Sequence, residues 1–150
     1  VINIFLFYLK ELIIMSFIKV ILSFVLLCSF AVSAHDDVYL DKQKSPHGGQ
    51  VRMAGAYHFE LVLSPKQVTI YVTDHAGMAV KTEGAQASVV ILANKQKVSL
   101  ELKVAGENSL QASGDYPTSP EMKAVVSIQI KGQEMQQARF TPWEKFNSKP

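Results

Sequence analysis

Tyr57 to Asp74 reads YHFELVLSPKQVTIYVTD, and its two-residue period decides the fold. In the first run Tyr57, Phe59, Leu61 and Leu63 lie on one face of an extended chain, and His58, Glu60 and Val62 on the other. In the second run Val68, Ile70 and Val72 point inward while Thr69, Tyr71 and Thr73 point outward. Ser64-Pro65 joins the runs tightly, so together they predict an antiparallel hairpin with one buried face.

Downstream the same grammar repeats. The turn His75-Ala76-Gly77 leads through a short edge segment ending near Val80, and Ala87 to Leu92 is the next apolar run. Asn94-Lys95-Gln96 turns the chain into Val98 to Val104, where Val98, Leu100, Leu102 and Val104 alternate with polar residues. Leu110 to Tyr116 is a weaker strand, and Pro117 and Pro120 bar the loop after it from a central position in a sheet. Ala124 to Ile130 and Glu134 to Thr141 form a hairpin across Lys131-Gly132-Gln133. Seven or eight short strands without a long helical period predict an all-β domain over residues 50–142. The expected form is an immunoglobulin-like antiparallel β-sandwich. Residues 143–150 make a tail, with Trp143 and Phe146 expected to close one end of the domain.

Upstream, residues 35–49 are polar and broken by Pro46 and Gly48-Gly49, the composition of a flexible arm. Before them, Met15 to Ala34 (MSFIKVILSFVLLCSFAVSA) carries Lys19, an apolar stretch from Val20 to Leu27 and the small-residue ending Val32-Ser33-Ala34. That is the layout of a signal peptide cleaved after Ala34, which predicts a periplasmic protein beginning at His35 and meeting the membrane only during export. Residues 1–14 read as an upstream extension. The rival is an uncleaved anchor, since Ile13 to Val32 approaches the ~20 apolar residues that span a bilayer; Lys19 and the small-residue ending favour cleavage. Cys28 follows Leu26-Leu27, whereas lipidation calls for a small residue directly before the cysteine.

Removing 34 of the 150 residues leaves 116, enough for one core and too few for two. Loss of Lys10, Lys19 and Glu11 with the leader takes the formal charge from +2 to +1. The remaining basic residues are scattered singly, which argues against nucleic acid as a partner. The single cysteine also lies in the leader, so the exported chain has neither a disulfide nor a thiol. Any metal site must then use histidine, methionine, carboxylate or the amino terminus, which points to copper, nickel or open zinc chemistry.

Four histidines, His35, His47, His58 and His75, follow the leader. At His35 a free α-amine and an imidazole on one residue can chelate together. His58 and Glu60 are two apart on a strand, share a face and can address one ion. His47 precedes Gly48-Gly49, and His75 occupies a turn. A histidine beside tyrosine or in a turn also serves as an ordinary hydrogen-bonded surface residue, and Met53 and Met78 read as gap fillers rather than ligands. The metal set expected is therefore His35, His47 and His58, with Glu60 as a fourth ligand or as a group behind them. No GxSxG, HExxH or phosphate-binding glycine loop occurs. One catalytic reading remains, a copper brace at His35, and a flexible arm pre-organises it poorly. No enzyme activity is expected.

Three segments carry a resemblance: Pro46-His47-Gly48-Gly49, Tyr57-His58-Phe59-Glu60-Leu61-Val62 and Ile70-Tyr71-Val72-Thr73-Asp74-His75-Ala76-Gly77. In this order they resemble small exported bacterial His-Gly-Gly proteins and the amino-terminal domain of periplasmic adaptor (membrane fusion) proteins of heavy-metal efflux pumps. The resemblance spans roughly residues 46–140. It implies a β-sandwich and an association with copper, zinc, cadmium or cobalt resistance, and it places His47, His58 and Glu60 on family-like positions. The arm departs from the pattern, having only His35 and His47 where relatives often have several histidines. A single site fits this better than a high-capacity sponge. The function expected is a periplasmic copper or zinc carrier or buffer serving an efflux complex; the alternative is a non-catalytic envelope interaction domain with incidental histidines.

Overall fold

A computed structural model describes residues 40–41 and 44–143. The upstream extension, the signal peptide, His35 and almost all of the tail lie outside the described residues. The domain is all-β, with eight antiparallel strands: β1 (Gln50–Ala54), β2 (Tyr57–Ser64), β3 (Gln67–Asp74), β4 (Gln86–Ala93), β5 (Gln96–Val104), β6 (Ser109–Ser113), β7 (Lys123–Gln129) and β8 (Met135–Phe140).

The deciding hairpin forms as its alternation requires. β2 and β3 pair from Tyr57↔Asp74 to Ser64↔Gln67, leaving Pro65 and Lys66 as the turn. Phe59, Val68, Ile70 and Val72 are fully buried and Leu61 nearly so. Leu110 of β6 lies beside Ile70 in the same layer, and Val89 and Ile91 of β4, Val126 and Ile128 of β7, and Phe140 of β8 join them in one core. Each such side chain contributes about 1.5–3 kcal/mol by leaving water.

The strands run in the order β1-β2-β3-β6-β5-β4-β7-β8. Two layers are thus joined into one sheet that is barrel-like rather than a cleanly separated sandwich. The join is β5. Residues 96–102 of that strand pair with β4, whereas Lys103 and Val104 pair with Gln111 and Leu110 of β6. Val104, at the fork, is exposed, and Leu102 just before it is the buried member of the apolar row of β5. At the other margin Thr141, just past β8, donates its N–H to Gln50 Oε1 on β1 at 2.8 Å.

Polar groups that sequence alternation leaves unexplained hold the ends together. Thr82 is wholly buried, and its N–H donates to the Glu107 carbonyl at 2.9 Å. The Tyr116 hydroxyl donates to the Ser64 and Gln67 carbonyls, latching the β2–β3 turn to the loop after β6. Burial raises the Tyr116 phenol above its ordinary pKa. Arg52, on the inward row of β1 opposite Phe59, meets Asp41 at 2.6 Å with both side chains more than nine-tenths buried.

Candidate functional site

The outer face of β1, β2 and β3 carries two rows of side chains set by register. Val51, Glu60 and Tyr71 form one row; Met53, His58 and Thr73 form the next. Two residues along a strand is roughly 7 Å, so the rows are near enough for side chains to meet.

Sequence alternation assigns Glu60 to the solvent side, yet it is only 5% exposed. The cover is the segment before β1. Glu60 Oε1 accepts the N–H groups of His47 (2.9 Å) and Gly49 (3.0 Å), and Oε2 accepts from His47 Nδ1 at 2.8 Å. The His47 ring lies flat on Tyr71, with centroids 3.5 Å apart and planes 3° from parallel. Ser45 Oγ donates to the Gly49 carbonyl at 2.7 Å and closes the loop on itself. Residues 45–49 are therefore clasped to the sheet and are not a free arm. The physical reason is a carboxylate that finds its donors in the main chain. Gly48 (φ +76°) makes the bend. Gly49 then crosses β2 so closely that no side chain fits.

His58 and His75 meet one row further along. Their rings stack at 5.0 Å with planes 28° apart. His75 is exposed, held up by a turn in which Asp74 Oδ1 accepts from the N–H groups of Ala76 and Met78, each at 2.9 Å. Its Nε2 is 3.2 Å from the Gly55 carbonyl. A carbonyl only accepts, so Nε2 carries the proton and Nδ1 the lone pair.

His47, His58, Glu60, Tyr71, Thr73 and His75 all line one groove of about 460 Å³. Three of the four expected ligands, His47, His58 and Glu60, thus share a site; the fourth, His35, lies outside the described residues. His75 belongs to the groove as well, and Tyr71 supplies its floor. Neither is in the set expected from sequence, although the period-2 spacing of Tyr71, Thr73 and His75 is a signal that could have placed them beside His58. Met78 is exposed at the turn beyond His75.

For a metal, the fit lies in the nitrogen that remains. A carboxylate accepts the Nδ1–H of His47, which leaves the lone pair on Nε2, the arrangement in which imidazole ligates. Glu60 has both oxygens engaged and is buried, so it suits orientation of His47 better than ligation. Among the described residues no three His, Cys, Asp or Glu side chains stand already gathered around a point where an ion would sit. Also among them, no helix is long and apolar enough to cross a membrane. Compared with protein-family models, with curated proteins and with solved structures, the chain gives no match.

Proposed function

We propose that this domain is a non-catalytic module that binds one copper or zinc ion through His47 and His58, as a periplasmic carrier or buffer associated with heavy-metal efflux. The observation that supports this most is the His47–Glu60 pair. A buried carboxylate holding one imidazole nitrogen, with the other left as an acceptor, is the usual arrangement behind a metal-bound histidine. The resemblance of residues 46–140 to efflux adaptor domains supports the same reading, as does a chain whose export would leave it without thiols.

A second reading draws on the same residues. Glu60 binds two backbone N–H groups and Tyr71 stacks on the His47 ring, so the clasp alone accounts for His47. On that reading the domain docks an envelope partner and its histidines are incidental. Calorimetric titration with Cu(II) and Zn(II) separates the two. The metal reading expects one ion per chain, weakened in His47→Ala and in His58→Ala. Equal affinity in all three proteins would discard it in favour of the docking domain.

A further inference from the structure

We propose that His75 is a metal ligand, joining His58 and His47 in a three-imidazole site; this inference rests on the metal-binding reading above. His75 enters from the turn after β3, whereas His58 stands on β2 and His47 comes from the segment before β1. Three separate pieces of chain thus converge on one groove.

Two of these imidazoles carry the same mark. His47 gives its Nδ1–H to Glu60 and His75 gives its Nε2–H to the Gly55 carbonyl. Each is thereby set in one tautomer, with its remaining nitrogen ready to donate a lone pair, and carboxylates and backbone carbonyls are the two acceptors that characteristically orient metal-bound histidines. The turn holding His75 is itself firm. Asp74 closes it with two side-chain hydrogen bonds, while the Gly77 N–H donates to the Asp74 carbonyl at 3.0 Å.

The spacing of two of the rings suits closure on an ion. Bonds of about 2.0–2.1 Å to each imidazole put ligating nitrogens about 3–4 Å apart. The His58 and His75 rings stand 5.0 Å apart between centroids and are nearly parallel. Rotation about their side-chain bonds would turn their nitrogens toward a common point, and His47, stacked on Tyr71 in the neighbouring row, would have to lean across to complete the set. His75 is exposed, so its reorientation works against its stacking on His58 and its Gly55 hydrogen bond but against no core packing. Nitrogen donors on an open rim, with no thiolate among them, suit Cu(II) and Zn(II), with Ni(II) accommodated by the same chemistry.

The test is Cu(II) titration of the purified chain, read by calorimetry and by electron paramagnetic resonance, which counts coupled nitrogens. The variants are His75→Ala, His75→Gln and His35→Ala, each checked for an unchanged thermal melt. Loss of a ligand should weaken Cu(II) by about tenfold or more in both His75 variants and remove one nitrogen from the spectrum. His35→Ala should still take up one Cu(II) and keep the His75 nitrogen in its spectrum. If wild type binds and the His75 variants match it, His75 is not a ligand while the metal reading stands. Abolition of binding by His35→Ala alone would overturn the three-imidazole site in favour of the amino-terminal histidine. If wild type takes up neither Cu(II) nor Zn(II), both proposals fail together.

Discussion

Gly49 passes over Leu61 so closely that a β-carbon on it would stand 2.3 Å from the Leu61 carbonyl oxygen. That oxygen belongs to the backbone and cannot swing aside. Gly49→Ala should therefore release the clasp, with an overpacking cost on the order of 1–3 kcal/mol. Gly48 has open space around its β position but a left-handed backbone, so Gly48→Ala should cost about 1–2 kcal/mol from backbone strain while leaving the clasp in place. Hydrogen exchange checks the difference: the His47 and Gly49 amides should lose protection in the Gly49 variant while those of β3 keep theirs.

Phe59 is fully buried at the middle of β2 and touches the shared core. Truncation to alanine should cost about 3–5 kcal/mol, and Phe59→Asp should leave the domain unfolded, because a carboxylate there has no water. His75→Ala, on an exposed turn, should change stability by no more than about 0.5 kcal/mol. Far-ultraviolet circular dichroism and denaturant melts distinguish these outcomes.

The Asp41–Arg52 pair predicts a strong effect from a residue outside the strands. Asp41→Ala takes a carboxylate away from a guanidinium that is more than nine-tenths buried but still donates to the Val51 carbonyl, which should cost about 1–3 kcal/mol. The loss should persist at high salt, because a buried pair is poorly screened. Urea melts at two ionic strengths provide the measurement.

Glu60→Gln keeps the size of the side chain but replaces one acceptor oxygen with a donor. The His47 Nδ1–H then has a poorer partner, and metal affinity should fall by about 10–100-fold. Calorimetry reads the affinity, and unchanged protection of the β2 amides would show that the sheet has stayed intact.

Tyr116 gives the domain an alkaline limit. Burial raises its pKa in the fold, so the unfolded chain, with an ordinary value of about 10, loses the phenol proton first. The stability tied to the neutral phenol is full below about pH 10 and disappears as pH climbs through the higher folded value. Tyr116→Phe loses the hydrogen bonds to the β2–β3 turn, about 0.5–1.5 kcal/mol at neutral pH. Its melts should then be less sensitive to pH than wild type between about pH 9 and 11, the range around the free phenol.

What was legible in the sequence was whatever alternation encodes. Phe59, Leu61, Val68, Ile70 and Val72 declare the inward face of β2 and β3, and turn residues such as Asn94-Lys95 mark the reversals. The site was half legible. His58 and Glu60 were placed on one face, but a period of two cannot tell whether that face is wet or covered by chain from before β1. Glu60 is buried because His47 and Gly49 bring it main-chain donors, a relationship across eleven to thirteen residues that leaves no local mark. Val104 failed in the opposite sense: its row is apolar, but β5 turns from β4 toward β6 at that point and leaves it in solvent. Arg52 reads as a surface charge until Asp41 is seen beside it.

The forked β5 has a consequence for the order of assembly. β1–β2–β3 is a meander of adjacent hairpins, and β4–β5 and β7–β8 are hairpins too, all closed by short loops that form within microseconds. β6, however, must return to β3 across the whole β4–β5 hairpin, and β7 must return to β4 past both β5 and β6. These distant pairings pay their loop entropy before any ladder rewards it, which places refolding in the millisecond-to-second range typical of β topologies. Lys103 and Val104 stand only six to eight residues from their partners Leu110 and Gln111, so this join closes as a local turn, ahead of the distant β3–β6 and β4–β7 ladders that it helps to align.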